Sequence, residues 1–330
     1  MKNSEPMADE KPKLKLAIYW GAACGGCCVS VLDVHEHLFD ITEHADLVFW
    51  PIALDTKYED VESWPDKSID ITLFNGAVRN SENEHMAHLL RQKSKILIGY
   101  GSCAHMGGIP GLANFSNKED IFKRVYEESE STDNPGKTRP LPEMEVAEGH
   151  LHIPVFYNDV MTLGQAVEVD YFIPGCPPQS DRLLEVFQAV VSGAELPPKG
   201  SVIGALPRVQ CDDCKRKKSE KKGITRFYRP WEVTDDFETC LNEQGILCMG
   251  PVTRGGCGVR CVEGNAPCRG CYGPLEDIPD AGARTISVIA SMLEGKETAE
   301  IAAAIDSIPD PAGTFYRFSL TGSKLRRKLS

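Results

Sequence analysis

The stretch that decides the fold is residues 14–28, LKLAIYWGAACGGCC. Its first half is nearly all apolar, which is typical of a strand in a parallel sheet that is covered on both faces. The glycine-rich half that follows holds Cys24, Cys27 and Cys28. Parallel sheets bind their ligands outside the carboxyl ends of the strands. A thiol-rich loop directly after a buried strand therefore predicts a metal site at that edge of a sheet.

The first half of the chain continues with strands and helices in alternation. Further buried strands are predicted at residues 45–54, 68–74, 95–100 and 167–173. Helices are predicted at residues 82–93 and 179–192, and from Cys28 onward with one face formed by Val31, Leu32, His35 and Leu38. Strands that alternate with helices indicate an α/β fold with a parallel sheet covered on both faces.

Two other segments have a different character. Residues 115–150 are highly charged, so we expect a long surface insertion that begins with a short helix at 118–128. After LPPKG at 196–200 the periodicity nearly vanishes, and eight cysteines fall between residues 211 and 271. Such a segment buries little apolar surface and needs an internal staple, which the cysteines can provide. A helix at 283–293, a short helix at 298–305 and an irregular tail complete the prediction.

The composition limits the possible partners and locations. The 330 residues carry a formal net charge of −12, which argues against nucleic acid as the main partner. The basic runs at 215–218 and 326–328 fit a solvated loop and tail, or a local docking surface for an acidic partner. Residues 1–13 are polar and are expected to form a disordered tail without signal-peptide character. No apolar run reaches about 18 residues, so we expect a cytoplasmic protein without a membrane span.

The 13 cysteines are expected to bind metal, because a reducing compartment disfavours disulfides. Cys24 and Cys27 follow the first strand, Cys103 follows the fourth and Cys176 follows the fifth. These thiols are predicted to converge at one edge of the sheet, where glycines let the backbone approach a bulky inorganic core. One CxxC pair with two distant single cysteines favours a 4Fe-4S cluster, and a tetrahedral zinc site is the alternative.

The eight later cysteines divide into two more sets of four. One set comprises Cys211, Cys214, Cys240 and Cys248. Taken alone, this set could also be a zinc ribbon. The other set is too compact for a zinc ribbon and suits a cube; it comprises Cys257, Cys261, Cys268 and Cys271. Three iron–sulfur centres on one chain indicate a relay of single electrons.

Three features near the first set are not predicted to be metal ligands. Cys28 is expected to be a small buried residue, or else a spare thiol that tunes or protects the cluster. His105 is expected to cap or pack, with a hydrogen bond near the cluster as the alternative. The loop GGIPG at 107–111 lacks the lysine and the hydroxyl residue of a phosphate-binding loop, so no nucleotide site is predicted. No residue of the chain is predicted to be catalytic.

Together these motifs resemble the small subunit of a nickel–iron hydrogenase of the cytosolic, methyl-viologen-reducing type. The resemblance covers residues 14–274 and is specific, since all twelve ligand positions line up in order. It is carried by CGGC at 24–27, GSCAHMGGIPGLAN at 101–114, PGCPP at 174–178 and the eight later cysteines.

The resemblance implies a flavodoxin-like domain at 14–198, which holds a proximal cluster through Cys24, Cys27, Cys103 and Cys176. It also implies a small irregular domain at 199–330, stapled by a medial and a distal cluster. The distal cluster matches Cys211, Cys214, Cys240 and Cys248, where many members have histidine at the first position. The medial cluster matches Cys257, Cys268 and Cys271, and Cys261 adds a fourth thiol where many members have only three irons. Three 4Fe-4S clusters are therefore expected, and both departures point to the cytosolic branch.

The resemblance implies partners as well. The nickel–iron centre would lie on a separate large subunit, and this chain would pass its electrons to a small 2Fe-2S subunit that feeds heterodisulfide reductase. Two alternatives are a relay subunit of another redox complex without hydrogen chemistry, and a zinc-stapled interaction protein. A companion large subunit with CxxC pairs for nickel would separate the first two interpretations, and iron and sulfide analysis would decide the third.

Overall fold

The computed structural model describes residues 12–219, 223–233, 236–295 and 297–326. Its strands, in chain order, are β1 Leu14–Trp20, β2 Ala45–Phe49, β3 Ile69–Asn75, β4 Val78–Asn80, β5 Ser94–Tyr100, β6 Glu143–Val146, β7 Gly149–His152, β8 Phe156–Met161, β9 Tyr171–Ile173, β10 Ser201–Val202, β11 Leu206–Val209 and β12 Arg254–Gly255.

Helices occur between these strands and after the last of them. The α-helices are α1 Gly26–Leu32, α2 His37–His44, α3 Tyr58–Ser63, α4 Ser81–Lys93, α5 Ser102–Met106, α6 Lys118–Tyr126, α7 Leu163–Ala166, α8 Ser180–Val191, α9 Gln210–Asp213, α10 Arg260–Glu263, α11 Ala281–Ala290, α12 Thr298–Asp306 and α13 Pro311–Tyr316. Short 3-10 helices occur at Pro110–Phe115, Pro230–Glu232 and Gly250–Val252. In the described residues, no helix combines the length and the apolar character needed to cross a bilayer.

Six parallel strands form the central sheet, in the order β10-β9-β5-β3-β1-β2. Counted along the chain, the first five sheet strands have the order 2-1-3-4-5, which is that of flavodoxin-like folds. This confirms the predicted α/β architecture. The strand order places the carboxyl ends of β1, β5 and β9 at one edge of the sheet, which is where the first cysteine set was predicted.

Both faces of the sheet are buried because successive residues of each strand point to opposite sides. On β1, Ile18 joins a core cluster with Leu73 and Ile98, packed against α1 and α8. Its neighbours Ala17 and Tyr19 join the opposite cluster, which includes residues of α4. Strands covered on both sides have continuous apolar sequences, which is why the sequence pattern located them.

The predicted strands differ from the structure mainly at their ends. The bounds of β1 are those predicted, whereas β2 ends at Phe49 and a turn occupies residues 51–53. The fifth sheet strand was predicted at 167–173, but β9 contains only Tyr171–Ile173. Val167 and Val169 are buried without belonging to the strand. The apolar pattern therefore identified buried residues here, and it did not identify how many of them form hydrogen bonds as a strand.

The single helix predicted from Cys28 onward was wrong. The structure has two helices, α1 and α2, separated by a turn in which His35 has a φ of 53°. This turn changes the direction of the buried face, so Leu32 and His35 are exposed while Val34 and Ile41 are buried.

The insertion and the end of the chain also differ from expectation in detail. The insertion begins with α6 as predicted and is largely exposed, but it also contains an antiparallel hairpin of β6 and β7. The predicted irregular tail is instead partly helical and buried: Phe315 and Leu320 belong to a core cluster with Ile289 of α11. Residues 1–11 of the expected N-terminal tail, and residues 327 and 328 of the second basic run, lie outside the described residues.

Candidate metal centres

The first cysteine set lies at the carboxyl edge of the sheet. Cys24 and Cys27 follow β1 at the start of α1, Cys103 lies in α5 directly after β5, and Cys176 follows β9. The Cys27 thiol interacts electrostatically with Cys24, Cys103 and Cys176, and Cys103 interacts with Cys24 and Cys176. The structure thus brings together all four thiols that were predicted to converge.

Glycines leave room beside these thiols. Gly101, between β5 and Cys103, has a φ of +91°, and a Cβ atom there would overlap the Sγ atom of Cys27. Gly108 has a φ of +56°, and a Cβ atom there would lie 2.5 Å from the Sγ atom of Cys103. Both positions therefore require glycine for backbone conformation and for space. The missing side chains leave space beside the thiols, which a bulky inorganic group requires.

The second set lines a pocket. Cys211, Cys214, Cys240 and Cys248 all line one pocket that is open to solvent, beside Arg216 and Lys218. A Cβ atom on Gly250 would lie 3.1 Å from the Sγ atom of Cys211 and 3.6 Å from that of Cys248. The four thiols therefore border one space that glycine backbone also approaches closely.

The third set is compact in space as well as in sequence. The Cys271 thiol interacts electrostatically with Cys257 and Cys261, and the Cys268 thiol interacts with Cys271. Cys261 lies in α10 and is exposed, whereas Cys268 is buried. The twelve cysteines thus lie in three groups of four.

Direct contacts join the third group to each of the other two. The backbone N–H of Cys268 donates to the Sγ atom of Cys248, at 3.3 Å. On the other side, the Cys271 thiol interacts electrostatically with the Cys176 thiol. The hydroxyl of Ser102 donates to the carbonyl oxygen of Cys271, at 2.6 Å. The three groups therefore form a row, with the third group in the middle.

Burial controls the protonation of these thiols. Desolvation, with a smaller contribution from neighbouring thiols, raises the pKa of Cys103, Cys211 and Cys271 to about 12. Desolvation also raises the pKa of Cys248 to about 11. Without metal these groups hold their protons at neutral pH, and metal binding must release them. These thiols can therefore serve as metal ligands that lose their protons when the metal binds.

The donor set fits iron–sulfur clusters. All twelve donors are thiols, the ligand type of 4Fe-4S cubes. In the described part of the chain, no three histidine, cysteine, aspartate or glutamate side chains are close enough to hold one metal ion. A 4Fe-4S cube binds one thiolate on each of its four irons, and each group offers four thiols.

The other features near the first set have packing roles. Cys28 is buried and accepts a hydrogen bond from the Asn75 amide, at 3.3 Å. His105 stacks on Phe172 with ring centroids 4.7 Å apart, and burial lowers its pKa to about 3, which keeps it neutral. Gly107 and Gly111 of the GGIPG loop pack against Thr321.

Sequence reasoning missed the polar residues that support the row. Ser102, which bridges to Cys271, directly precedes Cys103 in the GSC motif, and that adjacency was the available signal. The Asn75 amide also donates to the carbonyl oxygen of Tyr19, at 2.7 Å. Its position at the end of β3 was a weaker signal.

Known proteins resemble this chain over nearly its whole length. The family model described as "NADH ubiquinone oxidoreductase, 20 Kd subunit" matches residues 24–190. An iron-sulfur subunit of the F420-non-reducing hydrogenase of Archaeoglobus profundus is 42% identical over 322 residues, which are 96% of this chain and 99% of that protein. A subunit of the F420-non-reducing hydrogenase of Methanothermobacter marburgensis is 36% identical over 96% of this chain and 97% of that protein.

A solved structure shows the same fold. It is the oxidised [NiFeSe] hydrogenase of Desulfovibrio vulgaris Hildenborough, of which one chain matches with a TM-score of 0.50 and 17% identity. The match covers 86% of this chain and 99% of that chain. At this level of identity the likeness concerns the fold alone.

Proposed function

This chain belongs to the family of nickel–iron hydrogenase small subunits, of the F420-non-reducing, methyl-viologen-reducing type, and from this premise we propose that it relays electrons through three 4Fe-4S clusters. The observation that carries the proposal is the row of three thiol groups joined by direct contacts. A relay needs centres that lie next to one another, and the contacts at Cys268 and Cys271 support that arrangement.

The ligands are assigned by group. Cys24, Cys27, Cys103 and Cys176 would hold the proximal cluster, and Cys257, Cys261, Cys268 and Cys271 would hold the medial cluster. The distal cluster would be held by Cys211, Cys214, Cys240 and Cys248. We also propose the division of the chain into a flavodoxin-like domain at 14–198, which holds the proximal cluster, and a second domain at 199–330, which holds the other two.

When bound, each cluster supplies a centre that accepts and releases a single electron. The chain's own residues position these centres. Gly101 and Gly108 let backbone reach the first group. The Ser102 hydroxyl ties the first group to the third through the carbonyl oxygen of Cys271. The Cys268 N–H ties the third group to the second. These ties hold neighbouring centres at fixed separations.

Family membership implies a hydrogenase large subunit as partner, and the proposal places the nickel–iron centre there. Electrons would enter at the proximal cluster and leave at the distal cluster. We propose that the receiving partner is a small 2Fe-2S subunit that serves heterodisulfide reductase, and that the complex works in the cytoplasm. The matches to F420-non-reducing hydrogenase subunits over nearly the whole chain support this choice.

A relay subunit of another redox complex is the second candidate, favoured by the family model described for an NADH ubiquinone oxidoreductase subunit. Purification of the native complex separates the two candidates. A companion large subunit that contains nickel supports the hydrogenase. A companion without nickel, in a complex that takes up no hydrogen, supports the second candidate.

The relay itself is tested by Cys176→Ala in the purified complex. Loss of one ligand should remove the proximal cluster signal from electron paramagnetic resonance spectra, while medial and distal signals remain. Hydrogen should then no longer reduce the two outer clusters, although dithionite should. If hydrogen still reduces the outer clusters at the normal rate, electrons do not pass through the proximal position.

A further inference from the structure

Arg269 lies at the junction between the medial and distal groups. It directly follows Cys268 in the sequence, and Cys268 is tied to the distal group at both of its backbone polar atoms. Its N–H donates to the Sγ atom of Cys248 at 3.3 Å, and its carbonyl oxygen accepts from the N–H of Met249 at 2.9 Å. The half-buried Arg269 side chain interacts electrostatically with the thiols of both Cys248 and Cys268.

The positive charge at this junction has no acidic partner in the described residues. Among the described side chains, Arg269 has no ion pair or hydrogen bond. Its electrostatic neighbours include two further guanidinium groups, those of Arg317 and Arg229. The Nε atom of Arg317 is itself buried without a hydrogen-bond partner.

Three neighbouring cations without an anion are unfavourable unless a negative group compensates them. A cube with four thiolate ligands carries negative charge, and reduction adds one more negative charge. Burial and the guanidinium of Arg317 lower the pKa of Arg269, but arginine keeps its proton at neutral pH. Its charge is thus fixed, and partial burial protects that charge from screening by salt.

We infer that Arg269 raises the reduction potentials of the medial and distal clusters, because its fixed charge stabilises the reduced form of each. This inference rests on the proposed function. Net charge near a cluster is one of the determinants of its potential. The charge of Arg269 lies between the two outer centres. One residue therefore helps both outer clusters to accept the electron that leaves the proximal cluster.

The test is a redox titration of the purified complex, followed by electron paramagnetic resonance. Arg269→Met removes the charge and keeps much of the side-chain length, and Arg269→Lys keeps the charge. Arg317→Met removes the neighbouring charge. Arg124→Met, in the exposed helix α6 of the insertion, is the matched control for loss of an arginine.

In the Arg269→Met variant, the equilibrium constant for reduction of each outer cluster should fall about tenfold. This corresponds to a reduction potential that is lower by about 59 mV for one electron. The proximal cluster should not shift. Arg317→Met should cause a smaller shift in the same direction, while Arg269→Lys and Arg124→Met should retain the potentials of the original protein. Unchanged potentials in Arg269→Met, or an equal shift of the proximal cluster, would overturn the inference.

Cluster content separates the two ways in which the experiment can fail. If the unsubstituted protein contains no iron and sulfide, the proposed function itself fails. If all three clusters are present but insensitive to Arg269, only the inference fails. If Arg269→Met does not assemble its clusters, the comparison of Arg317→Met with the unsubstituted protein decides: a negative shift of the outer clusters supports the inference, and its absence overturns it.

Discussion

At the scale of single residues, the positions of the glycines beside the thiols require glycine as strictly as the ligand positions require cysteine. Gly101 has φ and ψ of 91° and 166°, a region of backbone space that only glycine occupies at low cost. Its missing side chain also leaves room for the Sγ atom of Cys27. In the GSC sequence, the glycine therefore provides the backbone conformation, the serine donates the hydrogen bond to Cys271, and the cysteine is a candidate ligand.

Gly101→Ala should cost about 1–3 kcal/mol through backbone strain. It should also displace Cys27 and prevent loading of the proximal cluster, so that iron content falls by about four atoms per chain. Iron analysis of the anaerobically purified complex measures this loss. The matched control is Gly193→Ala, which has a φ of +71° but nothing within 4 Å of the added Cβ atom.

The control should show backbone strain without any loss of iron. Full loading of Gly101→Ala would contradict the role assigned to this glycine. Equal iron loss in both variants would show that strain alone, and not the contact with Cys27, controls loading.

At the scale of elements, a buried ion pair joins strands of the sheet to the helix that covers them. The Asp170 carboxylate, which is 1% exposed, accepts from the Leu97 N–H at 2.8 Å and from Arg91 of α4 at 2.5 Å. Lys199 pairs with it at 2.6 Å, just before β10. One carboxylate thus connects α4, β5, β9 and the segment that leads to β10.

Asp170→Asn should destabilise the fold by about 3–5 kcal/mol at pH 7, because it leaves a half-buried arginine without its partner. Burial raises the pKa of Asp170, but Arg91, Lys199 and the Leu97 N–H lower it below its ordinary value. The stabilisation is therefore present above about pH 4 and lost as the pH falls through the folded-state pKa. Thermal unfolding measured against pH tests this.

The difference in stability between Asp170→Asn and the unsubstituted protein should shrink at acid pH, because protonation removes the charge that the substitution removes. A difference that stays constant down to about pH 2 would contradict the assignment of the effect to this carboxylate.

The C-terminal segment is the second element whose role can be tested. Leu320 is 1% exposed and packs in the core cluster that contains Phe315 of α13. Leu320→Ala should cost about 2–5 kcal/mol. The nearby Leu325 is 55% exposed, so Leu325→Ala should change the stability by less than about 0.5 kcal/mol. Thermal unfolding midpoints of the two variants compare them, and equal midpoints would show that the tail contributes no core.

How far the sequence predicted these elements depended on how each one is stabilised. Strands β1, β3 and β5 were located within one residue or so, because burial on both faces makes their sequences continuously apolar. The turn at His35 was not predicted, since no glycine or proline marks it. The buried tail was not predicted either, because its partners Gly107 and Gly111 lie some two hundred residues earlier in the chain.

The structure places the thiols near one another as predicted, and the clusters they bind stay a prediction. Strand order and the rule for parallel sheets were enough to bring Cys24, Cys103 and Cys176 together. What spacing could not give is which group lies next to which. The row depends on contacts between loops, such as Cys268 with Cys248 and Ser102 with Cys271, and no local pattern encodes such contacts.

At the scale of the whole molecule, the row of thiols unites the two parts of the chain. Cys271, from the irregular half, accepts a hydrogen bond at its carbonyl oxygen from Ser102 at the edge of the sheet. Arg182 of α8 also donates to the carbonyl oxygen of Gly256, at 3.1 Å. The irregular half is thus packed on the edge where the sheet presents its thiols.

The relay depends above all on what the thiols bind, and metal and sulfide analysis of the anaerobically purified protein measures this. Three 4Fe-4S clusters predict about twelve irons and about twelve acid-labile sulfides per chain. Zinc bound in place of iron, with no acid-labile sulfide, would contradict the relay and every role assigned to the residues around it.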